Sequence, residues 1–221
     1  MASGQSVRVE RDPFLKQIDE TLLKSLRLIG ATVMFAFILF LPVDFFFSQH
    51  FVLRDFVIFR AAIVGTTILL TALALTPWAL HPLVMRIIGA GIVSTACFGV
   101  SYLTYMTGGV TSPYWTMIML VFFGTTLLLR FSLSEAFITY LVQWLIYNGV
   151  MLYTGADYTS SAFVTSSIGI LLALVVSLVG NWQIRALEIN KFNAQQALAV
   201  ANDELKKSVS ELAFKKEQAE V

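Results

Sequence analysis

Six apolar segments occupy most of this chain, and they constrain its fold more than any other feature. A helix needs about 20 mostly apolar residues to cross the hydrocarbon core of a bilayer. Only 13% of the 221 residues are charged, about half the share in soluble domains, so a bilayer must cover part of the apolar surface. The sequence therefore predicts an all-α membrane protein, a bundle of six transmembrane helices at residues 28–47, 57–75, 87–106, 115–129, 136–153 and 163–182.

Basic residues beside the spans predict which side of the membrane each loop faces. With six spans nearly all of them fall on one side, while the other side has Arg54 with Asp55 and then loops without a basic residue. Because cytoplasmic loops are enriched in Lys and Arg, we expect both termini in the cytoplasm. The basic residues on the predicted cytoplasmic side are Arg8, Arg11, Lys16, Lys24, Arg27, Arg86, Arg130, Arg185 and Lys191.

Composition divides the chain into three predicted parts. Residues 1–27 are mixed in charge and predict an amphipathic helix that opens after Pro13 and lies at the cytoplasmic surface. Residues 28–184 form the transmembrane domain, whose first apolar run is longer than a signal-peptide core. Residues 185–221 are polar, lack Gly and Pro, and predict a cytoplasmic helix. The sequence ends within that helix, so we expect a further domain after it.

The last helix carries a leucine stripe that predicts a coiled-coil-like signalling helix. Leu198, Leu205 and Leu212 repeat at heptad spacing. Two companion rows are compatible with this stripe, one through Ala194, Ala201 and Ser208 and one through Asn202 and Val209. An unpaired stripe would face water, so we expect a parallel homodimer through the sixth helix and the coil; the alternative is a solvated single helix.

Two charged residues lie within the predicted spans, where charge is costly and usually faces a partner or a cavity. Asp44 lies near the outer end of the first span and Arg60 near the outer end of the second. Adjacent antiparallel helices place them at similar depths, which predicts an Asp44–Arg60 pair. Two interpretations stay open: a clasp that holds the helical hairpin, or a charged wall of an outward-facing pocket.

The third loop and the fifth span supply further candidate ligand-binding residues. Two glycines in the loop permit unusual backbone conformations, and a serine there is a candidate helix cap. Aromatic side chains at the outer interface surround this turn and serve either as membrane anchors or as ligand contacts. The polar face of the fifth span either joins helices or lines the same pocket. The candidates are Tyr105, Gly108, Gly109, Ser112, Tyr114 and Trp115 from the loop, and Trp144 and Asn148 from the fifth span.

The residues that several kinds of binding and catalytic chemistry require are absent from this sequence. His50 and His81 fall on opposite sides of the predicted membrane, so they cannot share a metal ion or a haem. Cys97 is the one cysteine, which excludes an internal disulfide. No phosphate-binding loop or nucleophile motif occurs, and the net charge of +1 gives no reason to expect nucleic acid. We therefore expect that this chain is not itself an enzyme.

These motifs together resemble a known family. The pattern Pro42-x-Asp44, then Arg60, then GGVTSPY at 108–114 resembles the six-helix membrane sensor domains of bacterial sensor histidine kinases, and a similar module occurs on some class III adenylate cyclases. GGVTSPY is also similar to the GGxxNPF loop of the RegB-type redox kinases, with Ser112 in place of Asn and Tyr114 in place of Phe. The terminal KKEQAEV resembles the linker that precedes the phosphoacceptor hairpin of hybrid kinases.

The resemblance implies a sensor or receptor domain of a two-component system in the bacterial inner (cytoplasmic) membrane. A small lipophilic or amphipathic ligand would bind near Asp44, Arg60, the 108–114 turn and the polar face of the fifth span. A quinone is one possible bound signal, and no other cofactor is implied. Binding would change the packing of the sixth helix and hence the coil. The alternatives are the receptor or anchor domain of an adenylate cyclase, a ligand-free anchor and dimeriser, and a small transporter.

Overall fold

The structure is a computed structural model that describes residues 13–40, 42, 53–129 and 131–219, and within these ranges it contains helices but no strand. The all-α prediction is therefore confirmed. We number the helices α1 (Pro13–Leu39), α2 (Leu53–Leu73), α3 (Pro82–Met106), α4 (Trp115–Leu128), α5 (Leu133–Tyr153) and α6 (Ser161–Ala219). Two short 3₁₀ turns, Pro77–Leu80 and Gly109–Thr111, precede α3 and α4.

Five of the helices are long and apolar enough to cross a membrane by length and composition, namely α1, α2, α3, α5 and α6. The chain is accordingly a multi-pass membrane protein, as the sequence predicts. Helix α4 is apolar as well, but its 14 residues extend only about 21 Å, against a hydrocarbon core of about 30 Å. The six-span count is therefore supported for five helices, and a crossing by α4 stays a prediction.

Helix α1 begins earlier than the predicted first span and includes part of the segment that was expected at the membrane surface. It is continuous from Pro13, and Leu22 and Leu26 are fully buried in the core. These two leucines are four residues apart and so share one face of the helix. Gly89 on α3 leaves room for Leu26, since a Cβ at that glycine would lie 3.0 Å from the leucine Cδ2. Residues 19–27 therefore pack into the bundle.

Helix α3 forms the centre of the bundle. Half of its membrane-spanning window is buried, against 22–33% for the other four candidate spans. It packs against α1, α2, α4 and α5, and small residues on it let the neighbours approach closely. At Gly99 an added Cβ would lie 2.6 Å from the Phe37 ring of α1 and 3.3 Å from Ile63 of α2. The core is thus organised around one helix that touches four others.

Charged side chains join α1, α3 and α5 at the end of the bundle where all three helices begin. Arg86 of α3 donates to Glu135 of α5 at 2.7 Å and approaches Asp19 of α1 at 3.5 Å. Glu135 also completes a capping box with Ser132 at the start of α5. We call this the Arg86 end of the bundle. The contact confirms that these three helix starts lie on one side, as short antiparallel connections require.

Helix α6 runs without interruption for 59 residues. Before it, Asp157 accepts hydrogen bonds from the side-chain hydroxyl and the backbone N–H of Thr159, which lowers the pKa of this exposed carboxyl.

The chain divides into two compact units after Trp182, two residues before the boundary that composition predicts. In the second unit Leu198, Leu205 and Leu212 are all exposed on the helix, between 62% and 66%, so the coiled coil stays a prediction.

The Arg86–Glu135 contact can be tested by a double-mutant cycle with Arg86→Gln and Glu135→Gln. Glutamine at position 135 preserves the capping box, so the cycle isolates the ion pair. We expect a coupling free energy of about 0.5–1 kcal/mol, because both side chains are partly exposed and solvent screens the pair. The measurement is thermal unfolding of the purified protein in detergent at low and high salt. Strictly additive effects of the two substitutions would contradict the pairing.

Candidate functional site: an apolar cavity closed by Arg60

A cavity of about 200 Å³ lies between α1, α3 and α4. Among the described residues its walls are almost wholly apolar, and Arg60 of α2 is the one charged residue of that part of the lining. Two threonines also line it, but their hydroxyls are turned to their own helices: Thr32 donates to the Leu28 carbonyl at 2.8 Å and Thr125 to the Val121 carbonyl at 2.6 Å. The other polar groups of the described lining are the Arg60 guanidinium and the Tyr114 hydroxyl, which lie 3.5 Å apart at one end of the cavity.

Arg60 is only 4% exposed, and the end of α1 explains how its charge is accommodated. The last carbonyls of a helix have no intrahelical partner and carry the negative end of the helix dipole. The guanidinium donates to the Phe37 carbonyl at 2.7 Å and lies 3.4 Å from that of Phe40. Its carbon also lies 5.7 Å from the centre of the Phe37 ring. Arg60 therefore caps α1 from the neighbouring helix.

The turn between α3 and α4 positions Tyr114 beside Arg60. Gly108 and Gly109 have φ values of 118° and 65°, which residues with a Cβ rarely adopt. The Ser112 hydroxyl bonds that of Thr107 and accepts from the Tyr114 backbone N–H at 3.2 Å. Ser112 therefore braces the turn, and α4 begins three residues later, at Trp115. The Tyr114 hydroxyl is buried, 3.5 Å from the Arg60 guanidinium.

The structure divides the predicted site residues among three places. Arg60 and Tyr114 line the apolar cavity. Tyr105, Gly108 and Gly109 line a second cleft of about 380 Å³, formed with residues 154–156 of the following loop. Asp44, the predicted partner of Arg60, lies outside the described residues, so that pair stays a prediction.

The remaining candidates join helices to α6. Trp144 donates its indole N–H to the Ser167 carbonyl at 3.3 Å, and the Ser167 hydroxyl donates to the Asn148 side-chain oxygen at 2.9 Å. Trp115 packs on the backbone of α6, where a Cβ at Gly169 would lie 3.1 Å from its ring. For Trp144 and Asn148 these contacts favour the helix-joining interpretation, which the sequence left open against a place in the pocket.

Sequence reasoning missed the residues that create the cavity. They are mainly aliphatic, and small residues on three different helices keep the space open: Ala36 on α1, Ala96 on α3 and Gly124 on α4. A Cβ at Gly124 would meet no atom within 4 Å. Single apolar residues carry no individual signal in a membrane sequence. The sequence marks only the two groups at the polar end of this cavity, Arg60 and Tyr114.

Further buried polar groups lie on α5 and α6, and sequence reasoning missed those of α6. Gln143 is fully buried, and neither its side-chain oxygen nor its nitrogen has a hydrogen-bond partner among the described residues. The same holds for the Ser177 hydroxyl and the Asn181 side-chain oxygen of α6. By contrast, Ser166 of α6 accepts a hydrogen bond from the Tyr147 hydroxyl at 2.8 Å. Within the described residues, the polar contacts of α6 are complete near its start and incomplete near Asn181.

Comparison with protein-family profiles, with curated protein sequences and with solved structures gives no match. The resemblance to sensor domains therefore stays a prediction, and a functional proposal rests on the geometry of the site.

Replacing Arg60 tests its role as a cap of α1. Arg60→Gln leaves the Phe37 carbonyl without its charged donor, so we expect a loss of about 2–3 kcal/mol in the free energy of unfolding. Arg54→Gln is the matched control, because Arg54 lies on the same helix and is exposed. Chemical or thermal unfolding in detergent, followed by circular dichroism, measures both variants. Equal stability of the two variants would contradict the capping role.

Proposed function

We propose that this chain is the transmembrane receptor domain of a larger bacterial signalling enzyme, with a sensor histidine kinase favoured as the output. In this proposal it crosses the inner membrane six times with both termini in the cytoplasm, and α4 is the short fourth span. A small lipophilic or amphipathic signal occupies the cavity beside Arg60. The signal changes the packing of α6, which continues as the coil of a homodimer.

The observation that carries the proposal is that α4 separates the cavity from α6 and touches both. One face of α4 lines the cavity through residues such as Val121 and Gly124. Another face contacts α6, where the Thr126 hydroxyl lies 3.3 Å from the Ser177 carbonyl. An occupant that displaces α4 therefore acts on α6 through direct packing, because packed interiors transmit displacement with little compression.

The part of α6 near Asn181 can move with a smaller loss of hydrogen bonds than the start of the helix. Near the start of the helix Ser166 and Ser167 are bonded to α5, so moving that part would break hydrogen bonds. Near Ser177 and Asn181 the side-chain oxygens have no partner among the described residues, so moving them loses no bond of their own. A buried polar group without a partner costs about 1–3 kcal/mol, and a packing that supplies one competes well with the observed packing.

The required energies are within reach of a small ligand. Converting a two-state equilibrium almost completely takes a difference in binding free energy of about 5.5 kcal/mol between the states, and a graded response takes less. In the proposal the helix then carries the change onward; residues 181–219 contain neither Gly nor Pro, the two residues least favourable within a helix.

The second candidate is a ligand-free anchor and dimeriser, and the exposed leucines of residues 198–212 favour it. Such a domain needs only a dimeric coil, so it would be indifferent to whether the cavity is filled. A receptor attached to a class III adenylate cyclase would share every feature of the membrane domain and differ only in the output that follows.

Filling the cavity with a side chain separates the receptor from the anchor. We expect Gly124→Leu to mimic an occupied cavity, because the space next to this glycine is empty. Gly65→Leu is the matched control, since that glycine is exposed on α2 and also has no atom within 4 Å of an added Cβ.

The measurement uses a spin label at Lys207→Cys, an exposed position outside the leucine stripe and both companion rows, in a Cys97→Ala background, in nanodiscs after exhaustive detergent exchange. Pulsed electron paramagnetic resonance gives the distance between the labels of two copies. We expect a shift of about 2 Å or more in Gly124→Leu and none in Gly65→Leu. Identical distance distributions in all three proteins would support the anchor, and the absence of a distance between copies would contradict the dimer.

A further inference from the structure

We infer that three buried hydroxyls, those of Thr126, Tyr140 and Ser177, form a hydrogen-bond switch between α4, α5 and α6. In the observed packing Thr126 bonds to Tyr140, and the Ser177 hydroxyl has no partner among the described residues. In the second position of the switch the Ser177 hydroxyl donates to Thr126. The inference rests on the proposed function, since it names the contact through which a filled cavity changes the packing of α6.

The count of donors and acceptors sets the direction of the bonds at Thr126. The Tyr140 hydroxyl lies 2.6 Å from that of Thr126, the acceptor that the described residues offer it. The Thr126 proton has two carbonyls within reach, that of Phe122 on its own helix at 3.0 Å and that of Ser177 on α6 at 3.3 Å. Thr126 therefore donates to a carbonyl and accepts from Tyr140. A hydroxyl oxygen accepts two hydrogen bonds, so Thr126 keeps one lone pair open.

Ser177 carries a donor that fits this lone pair. The residue is only 1% exposed, and its hydroxyl has no partner among the described residues, although buried hydroxyls normally have one. The carbonyl of the same residue lies 3.3 Å from the Thr126 hydroxyl. The Ser177 hydroxyl therefore needs only a small rotation or slide of α6 against α4 to reach Thr126, and the bond it forms satisfies a group that the observed packing leaves unpaired.

The cavity lies on the opposite side of α4 from this cluster. Gly124 and Thr126 are two positions apart, about 200° around the helix. Gly124 lines the cavity, whereas Thr126 packs so closely on α6 that a Cβ at Gly180 would lie 3.2 Å from its methyl group. Because this contact has no spare room, an occupant that displaces α4 changes the position of Thr126 against Ser177.

Two serines of α6 provide matched variants. Ser166 and Ser177 are equally buried, but the Ser166 hydroxyl accepts a hydrogen bond from Tyr147 at 2.8 Å. Ser166→Ala loses a bond of the observed packing, so we expect its thermal midpoint to fall by about 2–4 °C. Ser177→Ala removes an unpaired hydroxyl, so we expect its midpoint to equal or exceed that of wild type.

The switch is read by fluorine NMR of the full chain, labelled with 3-fluorotyrosine, in nanodiscs after exhaustive detergent exchange. Loss of a signal in Tyr140→Phe assigns that residue. We expect Gly124→Leu to shift the Tyr140 signal, because the hydroxyl that accepts from Tyr140 gains a second donor, and Gly65→Leu to leave it in place. Adding Ser177→Ala to Gly124→Leu should abolish the shift, whereas adding Ser166→Ala should preserve it.

Two outcomes would overturn the inference. An unshifted Tyr140 signal in Gly124→Leu would show that filling the cavity leaves the cluster unchanged. A shift that survives in the Ser177→Ala background would show that the Ser177 hydroxyl takes no part.

The coil distance from the label at Lys207→Cys, measured on the same variants, separates this inference from the proposed function. A coil that responds to Gly124→Leu equally with and without Ser177→Ala would overturn the switch and leave the receptor proposal standing. A shift of the Tyr140 signal that depends on Ser177, without any coil response, would support the switch and contradict the receptor proposal.

Discussion

The guanidinium of Arg60, buried against the end of α1, is the interaction on which the rest of this end of the bundle depends. A charge within a membrane domain needs partners, and the Phe37 and Phe40 carbonyls at the end of α1 are among those of Arg60. This contact fixes α1 against α2 and brings Tyr114 to the same point through the glycine turn. The space beyond it, between α1, α3 and α4, is then walled by apolar side chains and has one polar end.

The proposed function depends on the contacts that α4 makes with the cavity and with α6. The short helix α4 lies between the cavity and α6, so one of its faces lines the cavity and another contacts α6. A hydrogen bond joins α6 to α5 at Ser166, whereas the buried side-chain oxygen of Asn181 has no hydrogen-bond partner among the described residues. In the proposed function α4 senses the occupant and α6 carries the response. This proposal is the same whether the output is a kinase or a cyclase.

Features that depend on a single unusual residue or a short motif could be predicted from the sequence. Features that depend on contacts between residues far apart in the chain could not. An arginine in an apolar run and a GG-x-x-S-P-Y turn can be recognised in the sequence, and Arg60 and the Tyr114 of that turn lie at the polar end of a cavity. The cavity itself depends on Ala36, Ala96 and Gly124 from three helices, and no local pattern relates them. The Arg86 contact with Asp19 likewise joins residues 67 positions apart. For Trp144 and Asn148 the sequence left a helix-joining role and a place in the pocket open, because their partner, Ser167, is on another helix.

The central claim is that each copy holds one small lipophilic or amphipathic molecule in the cavity beside Arg60, and native mass spectrometry of the protein released from nanodiscs tests it most directly. The account predicts that wild type and Gly65→Leu, purified without the detergent exchange that empties the cavity, each carry one small lipophilic or amphipathic molecule per copy, and that Gly124→Leu carries none. Bare protein in all three cases, or the same adduct on Gly124→Leu as on wild type, would contradict the account.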